Sequence, residues 1–116
     1  MVYTINTSYF AKSCELENTV SISRSTPTFY KGKVFKSIAP TYDILAEYKE
    51  TGDEVTFEMR YREEILAHLD PEFVADMLDG MTILCYEKSG KFCHRHILIE
   101  WLEEHLGEEN IRSNEL

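Results

Sequence analysis

The stretch MTILCYEKSGKFCHRHILIEWLEEHLG, residues Met81 to Gly107, decides the fold. An apolar run, Thr82–Tyr86, enters a short polar loop, and the loop leads into an amphipathic run, His94–Leu106. This order predicts a strand–loop–helix unit. The strand is apolar at nearly every position, which is typical of a central parallel strand buried on both faces. The helix spacing predicts a buried stripe made of Leu98, Trp101, Leu102, His105 and Leu106.

The rest of the chain alternates between strand-like and helix-like patterns. β-branched and alternating residues predict strands at Val2–Thr7 and Thr19–Arg24. Apolar residues at helical spacing predict three helices, at Pro40–Glu50, Glu54–His68 and Glu72–Leu78. In the third of these we expect Phe73, Val74, Met77 and Leu78 to point inward. Residues Ser25–Ala39 show no sustained period and predict a long ordered loop.

Helix boundaries are marked by residues that favour helix ends. Asp53 and Asp70 are good N-caps, and Pro71 suits a first helical position. Gly52 and Gly80 follow the ends of predicted helices, and Gly80 suits a left-handed cap. The alternation of strands and helices predicts an α/β fold, with a small Rossmann-like, mostly parallel sheet flanked by helices. One domain is expected to span residues 1–116.

Composition narrows the class of protein. The chain is 43% hydrophobic and 28% charged, which is ordinary for a globular domain. No apolar run approaches the roughly 18 residues that span a membrane, and the N-terminus lacks the pattern of a signal peptide. We therefore expect a soluble cytoplasmic protein. Three scattered cysteines do not pair evenly, so reduced thiols are expected.

The formal net charge of −9 is unevenly distributed. Residues 1–50 carry six Lys and Arg against five Asp and Glu, whereas residues 51–116 carry six against sixteen. An acidic chain repels phosphate backbones, so general nucleic-acid binding is not expected. Asn18–Tyr42 contains no acidic residue and several basic ones, which indicates either a solvated loop or a local anion site. The acidic helices also leave open a role as an interaction module for a basic partner.

Polar residues follow all three predicted strands. If the strands are parallel, these residues share the edge where open α/β sheets bind ligands. The last helix also begins there, and free N–H groups at a helix N-terminus favour anions. The predicted ligand-binding residues at this edge are Ser8, Tyr9, Arg24, Tyr30, Tyr61, Glu87, Lys91, Cys93, His94 and Arg95. Among them Arg95 is expected to be the main anion donor.

Cys93 has two interpretations. A thiol at a helix start beside His94 and Arg95 favours the thiolate, which suits a catalytic nucleophile with His94 as acid or base. Alternatively, Cys93 is a small residue that fills the turn. Cys85 lies within the apolar run and is expected in the core. It fits a Cys-x5-Arg phosphate loop poorly, because Lys91 stands where that loop needs arginine.

A zinc site could be imagined from Cys85, Cys93, His94 and His96. Their spacing matches none of the common two-pair zinc patterns. His94 and His96 also point to different faces of a helix. The sequence therefore predicts no metal and no cofactor.

Six segments are spread along nearly the whole chain: TSYFAK (Thr7–Lys12), SISR (Ser21–Arg24), YKG (Tyr30–Gly32), IAPTYDILAEYK (Ile38–Lys49), RYREEIL (Arg60–Leu66) and LCYEKSGKFCHRHILIEWL (Leu84–Leu102). Together they resemble the domain of unknown function 488 family. The resemblance implies a small α/β protein of bacteria or phages, with Cys85, Glu87, Cys93, His94 and Arg95 as signature positions. It implies no reaction.

The leading functional prediction is a module that binds a small anionic ligand, a nucleotide or nucleotide-derived signal, at the C-terminal edge of the sheet. One concrete version is a phage protein that sequesters a nucleotide immune signal of its host. The first alternative is a cysteine-dependent enzyme that acts on a small phosphate-bearing substrate. The second is the acidic interaction module. The sequence leaves the ligand and the oligomeric state open.

Overall fold

Strand β5 (Thr82–Cys85) lies in the middle of the main sheet of a computed structural model that describes residues 1–88 and 90–116. It pairs in parallel with β2 (Asn6–Tyr9) on one side and with β3 (Thr19–Ser21) on the other, and all four of its residues are buried. A short β4 (Lys33–Val34) pairs in parallel with β3 and completes the strand order β2-β5-β3-β4. The predicted parallel α/β fold and its central strand are confirmed.

The remaining strands tie the two ends of the chain together. β1 (Tyr3–Thr4) pairs in parallel with β6 (Ile111–Arg112). The C-terminal tail then runs along the outer edge of β2, where the Leu116 amide donates to the Thr7 carbonyl at 2.8 Å. The tail is thereby held beside the main sheet.

Helices cover both faces of the main sheet unequally. A four-residue helix, α1 (Phe10–Ser13), lies on one face. The longer helices α2 (Tyr42–Thr51), α3 (Glu54–Glu64), α4 (Pro71–Leu78) and α5 (His94–Leu106) pack with the other. Ile83 belongs to the large core, and Leu84 packs with Phe10 and Tyr30 in a small one. Neighbouring strand residues point to opposite faces, so β5 contributes to both cores.

Most predicted helix ends are confirmed. Asp53 and Asp70 accept backbone N–H groups at the starts of α3 and α4. Thr41, one residue beyond the predicted start at Pro40, caps α2 in the same way. Gly80 has a φ of +80°, in the left-handed region where a residue without Cβ is favoured. No helix among the described residues is long and apolar enough to cross a membrane.

Some boundaries differ from the prediction. The predicted helix Glu54–His68 ends at Glu64 and continues as a 3₁₀ turn, Leu66–His68. The predicted loop Ser25–Ala39 contains β4 and a second 3₁₀ turn, Lys36–Ile38. A third 3₁₀ turn, Glu108–Asn110, precedes β6. The predicted strand Val2–Thr7 is divided between β1 and β2 because its pairing partner changes from β6 to β5.

The buried faces of two helices were predicted only in part. In α4, Val74, Ala75 and Leu78 are buried, whereas Phe73 and Met77 are more than half exposed. Phe73 and Met77 are four residues apart, and so are Val74 and Leu78, so the hydrophobic period is the same for the two faces of the helix. Packing against the core decides which face is buried. In α5 the predicted stripe is buried at Leu98, Trp101 and Leu102, but His105 is exposed and Leu106 is half-buried.

Tyr61 connects α3 to the 3₁₀ turn before α2. Its side chain is fully buried, and its hydroxyl donates to the Ile38 carbonyl at 2.6 Å. We expect Tyr61→Phe to lower the free energy of unfolding by about 1–3 kcal/mol, because the buried carbonyl loses its partner. Urea unfolding measures the change, with Tyr42→Phe at an exposed position as the control. Equal effects of the two substitutions would contradict this role of the hydroxyl.

Candidate functional site

A cavity of about 200 Å³ opens where β3 and β5 end. Chain segments that follow these two neighbouring strands form part of its wall, and the start of α5 forms another part. This is the edge where ligands bind open parallel sheets. The lining residues are Ser23, Arg24, Ser25, Pro40, Leu45, Tyr48, Phe57, Cys85, Tyr86, Glu87, Phe92, Cys93 and His94.

One side of the cavity is aromatic. Tyr48 of α2, Phe57 of α3 and Phe92 of the loop before α5 form a triangle whose ring centroids lie 5.3 Å apart in each pair. Such separations are typical of stabilising aromatic contacts. The three rings therefore form a packed aromatic cluster that lines the cavity.

Two backbone hydrogen bonds hold Arg24 on the wall of the cavity. Its Nε donates to the Pro40 carbonyl at 3.1 Å, and its Nη2 donates to the Ala39 carbonyl at 3.0 Å. Within the described residues, Nη1 makes no hydrogen bond. Because two bonds fix the guanidinium plane, the third nitrogen is a pre-positioned donor on the cavity wall.

Two cysteines, Cys85 and Cys93, line the cavity. The structure joins Cys85, at the end of β5, to Cys93, just before α5, in a disulfide, and leaves Cys14 free. Reduced thiols were expected from the number and scatter of the cysteines. Cys93 lies beside the end of β5 although it follows Cys85 by eight residues, and the sequence spacing did not indicate that the two sulfurs meet.

His94 lies beside this sulfur pair. Its Nε2 is 2.7 Å from the Ile22 carbonyl oxygen, and a carbonyl only accepts, so Nε2 carries the hydrogen. In the neutral ring Nδ1 is then unprotonated, and it lies 3.7 Å from Cys93 Sγ. Burial lowers the pKa of His94 to about 4, and the charge of Arg95 adds to this, while the bond to Ile22 opposes it. His94 is therefore neutral near pH 7.

Arg95 has an internal role. Its side chain is fully buried, and Nη1 donates to Cys85 Sγ at 2.8 Å. Nη2 forms an ion pair with the Glu115 carboxylate at 2.7 Å and also donates to the Lys88 carbonyl at 3.3 Å. Arg95 does not line the cavity. The helical turn directs it away from the opening and toward the C-terminal tail, so the anion donor that we expected here is engaged elsewhere.

The other predicted ligand-binding residues divide into two groups. Arg24, Glu87, Cys93 and His94 line the cavity. Desolvation raises the pKa of Glu87, and the charge of Arg95 opposes part of that rise. Residues off the cavity wall are Ser8, which bonds to Ser13; Tyr9; Tyr30, which packs on Phe10; Tyr61, whose hydroxyl bonds to Ile38; the exposed Lys91; and Arg95.

Sequence reasoning missed the aromatic wall and the position of Cys85. Phe57 and Tyr48 had the helical spacing of core residues, and both do contact the core. Phe92 was adjacent to the predicted site, which was the one local signal. Cys85 was predicted in the core from the apolar run around it, and its side chain is indeed buried. The sequence did not indicate that Cys85, as the last residue of β5, also lines the cavity.

A family model described as the active DUF488-N3 subclade, DUF488-N3a, matches residues 16–106. The chain belongs to the DUF488 family. The matched region includes β3, β5 and the start of α5, and so contains every residue that lines the cavity. Glu115, which holds Arg95, lies outside it. No curated protein and no solved structure matches this DUF488 chain.

The lowered pKa of His94 predicts a pH dependence of stability. The unfolded chain binds a proton near the ordinary pKa of about 6.5, whereas the folded protein does so near 4. Stability from this group is thus complete above pH 6.5 and is lost as the pH falls toward 4. From pH 6.5 to pH 5 we expect it to contribute a fall of about 2 kcal/mol in the free energy of unfolding.

Urea unfolding of the wild type and of His94→Gln at both pH values measures this contribution. The variant is expected to lose less stability than the wild type over that interval, whereas His105→Gln, at an exposed position, is expected to behave as the wild type. If the wild type and His94→Gln show the same pH dependence, His94 does not titrate as described.

Proposed function

We propose that the cavity at the ends of β3 and β5 binds a small nucleotide-type ligand, with its flat ring on the aromatic wall and its anionic group at Arg24. The observation that carries this proposal is that an aromatic triangle and a guanidinium fixed by two hydrogen bonds line the same cavity. A ring gains dispersion and stacking energy on such a wall. An anion gains a charge-assisted hydrogen bond from the remaining Arg24 nitrogen.

The size of the cavity supports a small ligand. Sites for drug-sized molecules occupy about 300–1,000 Å³. A volume of about 200 Å³ suits one ring system with part of a sugar, so charged groups of a larger ligand would extend to the mouth. The exposed Lys88 and Lys91 belong to the loop that leads into α5 and provide positive charge near its start.

The start of α5 adds a second source of attraction for an anion. Cys93 occupies the N-cap position and makes no side-chain cap bond, and no acidic residue lies in the first turn. Backbone N–H groups and the helix dipole at this end favour negative charge.

The narrowest form of the proposal is a phage protein that sequesters a nucleotide immune signal of its host. Identification of the ligand that binds would test this form.

Isothermal calorimetry against a panel of nucleotides, cyclic nucleotides and ADP-ribose tests the proposal. We expect at least one member to bind, and Arg24→Gln to weaken that binding about tenfold or more, because a charged hydrogen bond contributes about 1.5–3 kcal/mol. Arg112→Gln changes the net charge equally at an exposed residue of β6 and is expected to bind as the wild type. No binding by the panel, or equal weakening by both variants, would contradict the proposal.

A second candidate function is cysteine-dependent chemistry on the bound ligand. It is favoured by the contact between Arg95 Nη1 and Cys85 Sγ, since a guanidinium stabilises a thiolate after reduction of the disulfide. The description of the matching subclade as active agrees with this. The lowered pKa of His94 makes it a weak base for the Cys93 thiol. Cys85 is therefore the better nucleophile on this geometry, where the sequence had favoured Cys93.

Alkylation of the reduced protein with iodoacetamide at pH 7 tests this second function. Cys85 is expected to react faster than Cys14, whose side chain is half-buried, because Cys85 contacts the Arg95 guanidinium and, among the described residues, Cys14 contacts none. Peptide mass spectrometry after short reaction times gives the two rates, with Cys93→Ser included to keep Cys85 from re-forming the disulfide. Slower reaction at Cys85 than at Cys14 would count against a nucleophilic role.

A further inference from the structure

We propose that Cys85, Cys93 and His94, once the disulfide is reduced, form a binding site for a thiophilic divalent metal ion, with Zn²⁺ as the ion that fits best. Their ligand atoms all lie within 4.8 Å of one another, and all three side chains are buried. Two thiolates and one imidazole are a donor set that suits zinc. The proposal goes beyond ligand binding at the cavity and does not depend on it.

The distances agree with tetrahedral coordination. Zinc–sulfur bonds of about 2.3 Å and zinc–nitrogen bonds of about 2.0–2.1 Å place a sulfur and a nitrogen ligand about 3.6 Å apart. The observed distance between Cys93 Sγ and His94 Nδ1 is 3.7 Å. Two sulfur ligands of one zinc ion stand about 3.8 Å apart. The Cα atoms of Cys85 and Cys93 are 7.6 Å apart, which leaves room for that separation in the reduced protein.

The orientation of His94 is already that of a metal ligand. The bond from Nε2–H to the Ile22 carbonyl fixes the ring and leaves the Nδ1 lone pair toward the sulfurs. Histidines that bind metals commonly donate their other N–H to a carbonyl or carboxylate, which selects the tautomer. Ile22 directly follows β3, so the main sheet holds the ring in place.

The charged groups around the site are compatible with a bound divalent cation. Two thiolates neutralise a divalent ion, and the nearest positive group, Arg95, is itself paired with Glu115 at 2.7 Å. The Arg95 donor on Cys85 Sγ gives that ligand the outer hydrogen bond that protein-bound thiolates use. The ion would therefore not meet an uncompensated positive charge.

Three protein ligands leave one position of a tetrahedral ion for another group. In zinc proteins this pattern is typical of catalytic sites, whereas structural sites use four protein ligands. Cys85, Cys93 and His94 all line the cavity, so the fourth position is accessible to water or to a ligand group there. Among the described lining residues, Glu87 alone carries a carboxylate, and it is available to bond to such a group.

The oxidised and reduced forms provide an internal comparison. A phosphine reduces the disulfide and takes up the oxygen of a water molecule, which yields two thiols and a phosphine oxide. Binding of Zn²⁺ then displaces one proton from each thiol. In the disulfide neither sulfur is a thiolate, so the oxidised protein is expected not to bind the ion at this site.

Titration of metal-free, phosphine-reduced protein with Zn²⁺ against a chromophoric chelator is the main test. We expect one Zn²⁺ per chain with micromolar or tighter affinity, and Co²⁺ is expected to give thiolate charge-transfer bands and visible bands of tetrahedral Co²⁺. Cys93→Ser and His94→Gln are expected to weaken Zn²⁺ binding at least tenfold. Cys14→Ser removes a thiol outside the cluster and is expected to bind as the wild type.

Further measurements distinguish Zn²⁺ at this site from Zn²⁺ bound elsewhere on the chain. Circular dichroism establishes whether each variant is folded. Alkylation of the wild type is then compared with and without Zn²⁺, and the ion is expected to protect Cys85 and Cys93 but not Cys14. Arg112→Gln, at an exposed residue of β6 that does not line the cavity, is expected to bind Zn²⁺ as the wild type. The Zn²⁺ titration contains no nucleotide, so failure of the nucleotide proposal leaves this one intact. Folded, reduced wild type that binds no stoichiometric Zn²⁺, or Zn²⁺ that protects neither Cys85 nor Cys93, would overturn the proposal.

Discussion

The parallel pairing of β5 with a strand on each side is the constraint on which the rest of the structure depends. Because β2 and β3 both run in the direction of β5, the carboxyl ends of all three lie at one edge of the sheet. The chain leaves β3 and β5 into the same space, and α5 begins there. A cavity between these segments follows from the topology, since residues after two adjacent strands have to separate to reach different helices.

The buried Arg95 links the cavity edge of the sheet to the C-terminal tail. A buried guanidinium is costly unless charged and polar partners surround it. Glu115 provides the charge, and Cys85 and the Lys88 carbonyl accept further hydrogen bonds. The C-terminal tail is held beside β2, and through Glu115 it fixes Arg95, which in turn contacts Cys85 of the cavity wall.

The two proposals use different parts of one cavity. Ligand recognition rests on the aromatic wall and on Arg24, whereas metal binding rests on the sulfur pair and His94. The two sets of residues do not overlap, so a variant of one set tests one proposal without removing a residue of the other. Covalent chemistry at Cys85 would use a thiolate that the metal also needs, so these two roles exclude each other at any one time.

Local sequence signals predicted the elements well because they act over a few residues. Each of these signals depends on a backbone preference or on burial within a single element. Examples are the caps at Asp53 and Asp70, the left-handed position at Gly80 and the apolar run of β5. The parallel arrangement was also predictable, since strands that alternate with helices favour it.

Tertiary structure decided the orientation of side chains and the meeting of distant residues. Periodicity does not distinguish Phe73 and Met77 from the equally spaced Val74 and Leu78, so the buried face of α4 depended on packing. The direction of Arg95 depended on a tail twenty residues later in the chain. By itself, the sequence determined a parallel α/β domain with a polar edge. Only the fold placed Cys85 next to its partners, because contacts between separate elements depend on packing that no local pattern encodes.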